Sequence, residues 1–321
     1  MENTNSHLFD VKFNQELTKH FDADTGFYFK EQLTNQLPET FNVIYAGLNG
    51  PKLVPIRSTI DESYRYGTYN IMDSFGQPKW DVDTSTDTPA AEVNAVRKEY
   101  RIFRKSLKMI FTSDDITLSS RLPSIIDDKR LSVLQGHAQD TNKIIFLGDY
   151  QKKLLDNNFY GWINHPDIAK TEVAPGTGGK TWAVKTGLEI VKDLSDTVAE
   201  MQRSTNGTHL VDTIALPILQ YQKLITTIIG SGIDTAFEYF QKVCPGVTLI
   251  PSNELEKAYP GNKDMFIAYQ KAGNNFWFES SELKFTNIFQ SKEDMFEVHA
   301  KVWHGGIILP RPKSQLIKYG I

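Results

Sequence analysis

LPSIIDDKRLSVLQGHAQDTNKIIFL, residues 122–147, is the stretch on which the fold turns. Its apolar positions fall at 122, 125, 126, 133, 134, 137/138, 141, 144 and 145. That is helical spacing sustained over about seven turns. Asp127, Asp128, Lys129 and Arg130 interrupt it with charge, as a helix open to solvent on one side would. The stretch predicts one long helix, with Pro123 in its first turn, where a missing N–H costs nothing.

Downstream, Thr186-Gly187-Leu188-Glu189 is a capping box, and Leu188, Val191, Leu194, Val198 and Met201 form one stripe behind it. This predicts a second helix ending near Asn206-Gly207. From Leu210 the pattern reads as a strand (Val211 to Leu216) and a short helix opening at Pro217. A further helix follows with Ile233, Ala236, Phe237 and Phe240 on one face, Ser231 as its cap and Pro245-Gly246 as its stop. Val247 to Ile250 and Met265 to Tyr269 are short apolar strands, which completes an α/β lobe. Phe296, Val298, Ala300 and Val302 alternate with polar residues, as in a half-buried strand. His304-Gly305-Gly306 reads as a turn, and Ile307-Ile308-Leu309 as the start of the last strand.

Upstream of the long helix, Tyr64 to Asp73 and Pro78 to Val82 flank a turn around Gly76 and predict an extended hairpin. It carries Tyr64, Tyr66, Tyr69, Phe75 and Trp80, with Lys79 near its tip, a density of aromatics that suits an interface. A hairpin folded on its own core is the alternative. Residues 1–52 read as an arm of little periodicity with one short helix near Phe29, Leu33 and Leu37. Such arms gain order mainly by lying on another surface.

With 321 residues, 40% hydrophobic and 23% charged, the chain is an ordinary globular protein able to bury a sizeable core. The single cysteine, Cys244, excludes an intrachain disulfide and reads as a small packing residue. No apolar h-region follows a basic start, so no signal peptide is expected, and no apolar run is long enough to span a bilayer. A net charge of −4 with both signs interleaved offers no basic stripe for sequence-specific DNA reading. Weak, non-specific proximity to DNA remains compatible with it.

Enzyme constellations were sought. Ala174-Pro-Gly-Thr-Gly-Gly-Lys180-Thr181 fits a relaxed phosphate-loop pattern with Ala for the first Gly. Its chemistry needs a buried parallel strand before it and a helix starting at Lys180-Thr181. Here the preceding segment is half polar and the helix begins later, at Thr186, so a glycine-rich surface loop is favoured. The seven histidines show no metal-ligand spacing, and His137 reads as a hydrogen-bonded packing residue of the long helix. Gly230-Ser231-Gly232 lacks the flanks of a nucleophile elbow. No catalytic residues, cofactor or metal are expected.

The order of segments and their junction residues carry a resemblance. After the long helix come Gly148 and then Tyr160-Gly161-Trp162-Ile163-Asn164-His165-Pro166-Asp167-Ile168. This resembles the junction after the spine helix in Hong Kong-97-fold major capsid proteins of tailed phages. The capped helix from Thr186 and the closing Gly305-Gly306-Ile307-Ile308-Leu309-Pro310-Arg311-Pro312 look like later parts of that family. Leu53-Val54-Pro55-Ile56 and the Gly76 hairpin are similar to its arm and extended loop.

The resemblance implies an α+β capsid fold: N-terminal arm 1–52, extended E-loop 53–105, peripheral domain 106–206 and 283–321, and axial domain 207–282. It implies a shell subunit without catalytic activity, assembling into hexamers and pentamers of an icosahedral head around double-stranded DNA. The E-loop aromatics and Lys79 would contact neighbouring subunits. Other implied partners are a portal, a separate scaffold protein or none, and in some cases decoration proteins; assembly would occur in the host cytoplasm. Covalent cross-linking through Lys79 is not favoured, because no partner Asn or assisting Glu matches. The rivals are an encapsulin nanocompartment shell, which shares the fold, and a nucleotide-binding protein using Lys180 and Thr181.

Overall fold

The computed structural model describes residues 47–76, 90–115, 124–152, 154, 159–230, 232 and 234–321. Along the chain these form α1 (Gly50–Leu53), β1 (Ile56–Arg57), β2 (Tyr66–Phe75), β3 (Glu92–Arg101), β4 (Phe103–Thr112), α2 (Ser124–Leu147) and β5 (Ala169–Glu172). Then come α3 (Gly187–Ser204), β6 (Thr213–Leu216), α4 (Ile218–Thr226), α5 (Ala236–Val243), β7 (Thr248–Pro251) and β8 (Met265–Tyr269). The chain closes with β9 (Trp277–Ser280), β10 (Lys284–Phe285), β11 (Phe289–Lys292), β12 (Met295–Ile308) and β13 (Gln315–Tyr319). Leu48–Ile321 is one compact unit and Met1–Gly47 a separate one. The predicted arm helix near Phe29, together with Lys79, Trp80, Pro123, Ser231 and Ile233, lies outside the described residues.

Two sheets and three apolar clusters build the main unit. In the five-stranded sheet the order is β5-β13-β8-β6-β7. Met265-Phe-Ile-Ala-Tyr269 is buried at every position. Because side chains alternate across a strand, Met265, Ile267 and Tyr269 enter one core with Trp162, Phe276 and Phe278. Phe266 and Ala268 enter another with Trp182, Ile190, Leu194 and Phe240. The sheet is therefore covered on both faces, which explains the continuous apolar run. In the six-stranded sheet, β12 pairs antiparallel with β4 along its whole first part (Met295↔Thr112 to His304↔Phe103), and with β9, β10 and β11 on the other side. Met109, Phe111, Val133, Val298 and Ala300 form the third, smaller cluster, where α2 lies on this sheet.

The junction after α2 has a clear physical basis. A helix leaves its last four carbonyls without partners, and here all four are satisfied. Gly148 N–H donates to Ile144 O (2.8 Å), Trp162 N–H to Ile145 O (2.8 Å) and Ile163 N–H to Phe146 O (3.0 Å). The Asn164 amide reaches Leu147 O (2.9 Å), and its Oδ1 accepts from Gly161 N–H (2.7 Å). Gly148 has φ +64°, and a Cβ on Gly161 would lie 2.3 Å from Gly148 N and 2.4 Å from Phe146 O. Only glycine lets the two backbones cross this closely. Trp162 is thereby delivered fully buried, against Phe276 and Tyr269, with its N–H on Gln315 Oε1 (2.6 Å).

Several expectations are corrected. The strand that pairs with β2 is β3: Tyr66 pairs with Arg101 and Phe75 with Glu92, so Gly76 lies at the end of β2 rather than at the apex of a tight turn, while residues 78–82 lie outside the described residues. His304-Gly305-Gly306 is no turn. Strand β12 runs straight through it, and Gly306 (φ +79°) allows a register shift against β9, a bulge that a glycine accommodates. The last strand is Gln315–Tyr319. The cap of α5 is Thr235, in a capping box with Glu238. In α3, Leu188 is exposed while Ile190 and Asp193 are buried. A short parallel strand, β5, does precede the glycine loop, but at the sheet's edge.

Candidate assembly surfaces

The β2–β3 ribbon has ten pairs in unbroken antiparallel register and belongs to neither larger sheet. At about 3.4 Å per residue it extends roughly 34 Å. Ribbons of two strands are marginal alone in water, so its base must be anchored. Tyr100 does this: a Cβ on Gly67, its ladder partner, or on Gly305 would collide with the Tyr100 ring at 2.0 and 2.7 Å. The ring thus lies over two glycines, tying β3 to β12. Burial, and secondarily the Glu279 carboxylate, push the Tyr100 hydroxyl pKa up. Tyr69 packs edge-on to Trp277 (6.5 Å), which also carries the Arg57 guanidinium 3.9 Å above its ring and donates its N–H to Glu279 (2.6 Å). Lys98 reaches Asp167 at 3.5 Å.

Beyond this base the ribbon buries little. Met72 is 71% exposed and Val93 66%, and Val96 is also exposed. Met72, paired with Ala95, and Val93, paired with Ser74, share one face by register. Of the residues expected at an interface, Tyr64 (59% exposed) and Tyr66 are open, Tyr66 carrying Arg101 over its ring at 5.3 Å. Tyr69 is half-buried at the base, against its own chain. Phe75 ends β2. Val93, Val96 and Tyr100 were missed because β3 was not recognised, and Met72, inside the recognised strand, was passed over for the aromatics beside it. Its valines and ten-residue length were the available signal, weakened by Asn94, Arg97 and Lys98, which break strict alternation.

More apolar surface is left open on other elements. Leu131 and Leu134 are exposed on the first half of α2, as are Leu219, Ile225 and Ile228 around α4. Near the N-terminal half of α2, Met109, Phe111, Phe285, Ile288, Phe296 and Val298 line a groove of about 560 Å³.

The glycine loop is occupied by the protein itself. Glu189 Oε1 accepts from Thr177 N–H (2.7 Å) and hydroxyl (2.7 Å), and its Oε2 from Thr186 N–H (2.8 Å). These bonds hold its carboxyl pKa down to about 2. An anionic carboxylate where a phosphate would sit opposes phosphate binding. Lys180 is paired with Glu172 (2.6 Å), which also binds Lys263 (2.8 Å). Behind the loop, Lys185 and Asp193 form a buried ion pair (2.6 Å), with Trp182 N–H on the same oxygen and Lys185 also on Ala174 O. Burial raises the Asp193 pKa against these bonds. Neither residue was singled out from sequence; a helix stripe with a carboxylate on its apolar side was the signal. Among the described residues no group of three or more His, Cys, Asp or Glu could hold a metal, and no helix is long and apolar enough to cross a membrane. Cys244 is half-buried beside the second core.

Comparisons with known proteins agree with this architecture. The capsid of Myoviridae phage XM1 superposes with a TM-score of 0.74 at 12% identity, covering 93% of this chain and all of that one. A Gordonia phage Cozz structure gives 0.56 at 12% identity (89% and 90% covered). The holo-SrpI encapsulin complex from Synechococcus elongatus PCC 7942 gives 0.56 at 11% (91% and 94%). Sequence comparison with individual curated proteins finds no match. The family model described as "Major capsid protein" matches residues 76–320, about three quarters of the chain. The chain therefore belongs to the major capsid protein family, with the Hong Kong-97 fold, and is a shell-forming structural protein.

Proposed function

We infer that the protein closes hexameric and pentameric rings of an icosahedral phage head around double-stranded DNA, without catalytic activity. The observation that carries this reading is the β2–β3 ribbon: a long arm, anchored at Tyr100, exposing Met72, Val93 and Val96 with no core of its own. Residues 53–105 act as the E-loop, with Tyr64, Tyr66, Tyr69, Phe75, Lys79 and Trp80 contributing to contacts with the next subunit. Tyr69 acts there by bracing the base. Residues 1–52 are the arm, 106–206 with 283–321 the peripheral domain, and 207–282 the axial domain. Head-to-tail contacts of this kind make rings when the rotation closes. A portal, a separate scaffold and decoration proteins are the further partners of such a shell, assembled in the host cytoplasm. A mildly acidic surface suits packing beside DNA without tight binding.

Electron microscopy of the purified protein tests this. Closed shells, or hexamers and pentamers, are expected; a monomer at high concentration refutes it. The encapsulin likeness supports a second reading. Particles purified from the native source contain DNA on the first reading and a cargo protein on the second.

A further inference from the structure

We propose that His137 and His304 form an acid-sensitive lock between the long helix α2 and strand β12, closed while both imidazoles are neutral and loosened on acidification. His304 is 1% exposed and His137 8%. Nδ1 of His304 contacts Ser280 Oγ at 3.1 Å, and its ring lies 5.5 Å from that of Phe278. The Ala300 backbone of β12 faces the His137 ring, and one turn before it on α2 Val133 packs with Val298 and Ala300 of that strand. The Nε2 atoms of both are buried without a hydrogen-bond partner among the described residues. A second proton would therefore place charge in this seam with no acceptor, a costly state.

The surrounding charges relieve it only in part: Asp140 favours the charged form of both rings, but burial outweighs it. From α2, Asp140 faces the pair, but its Oδ1 already accepts from Lys105 of β4 (2.8 Å) and from the Tyr150 hydroxyl (2.5 Å). Lys105 itself disfavours a further positive charge on either ring, and a charged His137 disfavours one on His304. From β9, Glu279 is turned away to Thr59 and Trp277. On α2, Lys143 adds like charge beside Tyr150.

Both pKa values lie below the ordinary 6.5, chiefly through burial, that of His304 at about 4. A depressed folded-state pKa leaves the lock intact above pH 6.5 and weakens it as pH falls from 6.5 toward 4. For His304 alone the open-to-closed ratio rises on the order of thirtyfold by pH 5 and a hundredfold by pH 4. The inference rests on the seam and is independent of what the shell encloses.

The test is amide exchange of intact protein between pH 7 and 4, reading α2 against β8 as internal reference. In the natural chain the relative opening of α2 should rise about thirtyfold by pH 5. In His137→Gln/His304→Gln it should rise less than about threefold. An equal rise in both overturns the proposal. Should the double variant fail to fold, imidazole Cε1–H exchange on the natural protein decides. Titration of both rings well below 6.5, in step with α2 loosening, supports the lock. Ordinary titration, or an α2 indifferent to it, overturns it.

Discussion

Replacing Gly161 by Ala tests the account of the helix junction most sharply. The new Cβ would lie 2.3 Å from Gly148 N, 2.4 Å from Phe146 O and 2.5 Å from Leu147 N. All three are backbone atoms, so no flexible side chain can yield. The crossing must open, and the bonds Trp162 N–H to Ile145 O and Ile163 N–H to Phe146 O go with it. Each is worth roughly 1 kcal/mol net, and more if its groups stay buried and unpaired. Overpacking adds about 1–3 kcal/mol. The expected loss is therefore about 3–5 kcal/mol, a large share of the 5–15 kcal/mol typical of a domain. Urea unfolding of dissociated subunits, followed by tryptophan fluorescence, measures it. At an m of about 3 kcal/mol/M the midpoint falls by at least about 1 M. Gly273→Ala is the control: its Cβ meets only Arg57 Nη2 at 3.7 Å, and it should change stability by less than about 0.5 kcal/mol. A loss below about 1 kcal/mol for Gly161→Ala, with the Trp162 and Ile163 amides still protected from exchange, would refute the reasoning.

Asp193→Ala leaves Lys185 charged and buried, and should cost about 3–5 kcal/mol in the same assay; Lys185→Met with Asp193→Leu should recover most of it. Met72→Glu with Val93→Glu should leave unfolding within about 0.5 kcal/mol, since both side chains are open, yet abolish closed shells under the electron microscope. Normal shells would remove the ribbon from the assembly surface. Lys180→Ala should leave no ATP hydrolysis to lose. It also frees Glu172, whose carboxyl pKa, held at about 2 by Lys180 first and Lys263 second, should rise. That carboxylate contributes stability above pH 4.5 that is lost as pH falls through 2. The gap between natural and variant protein in acid titration should therefore be present above pH 4.5 and close toward pH 2.

Much of this was legible in the sequence because local chemistry dictated it. The 3.6-residue spacing of α2 and the Thr186–Glu189 box of α3 both appear as read. So does the run Met265–Tyr269; Gly148, Gly161 and Asn164 were singled out only as a family-like junction, and the backbone crossing they serve emerges from the structure. What failed depended on partners distant in sequence. The ladder of β2 could not be assigned because its partner begins only at Glu92, and Pro78 to Val82 offered a nearer β-prone segment. Gly305-Gly306 looked like a turn because two glycines usually mark one. On β12 they instead serve the Tyr100 ring and a bulge. Asp193 was invisible as a buried charge, since its partner Lys185 precedes the helix and reads as surface loop.

These failures follow from how stability is divided in the chain. Residues that build the two large cores meet one another around the five-stranded sheet, and their burial is settled inside the subunit. The ribbon is settled only at its base, by Tyr100 over Gly67 and Gly305 and by Tyr69 against Trp277. Past that base, no core constrains its residue types except that they keep a ladder and suit a neighbour. A fold can therefore persist at 12% identity, because a core tolerates many apolar exchanges that keep volume and pattern. The side chains that join subunits are free to change, provided both sides of the contact change together. The ribbon is thus the hardest segment to place from sequence and, in the proposed assembly, the one that joins subunits. In that assembly both properties have one cause: the surface that steadies the ribbon past its base is supplied by another copy of the chain.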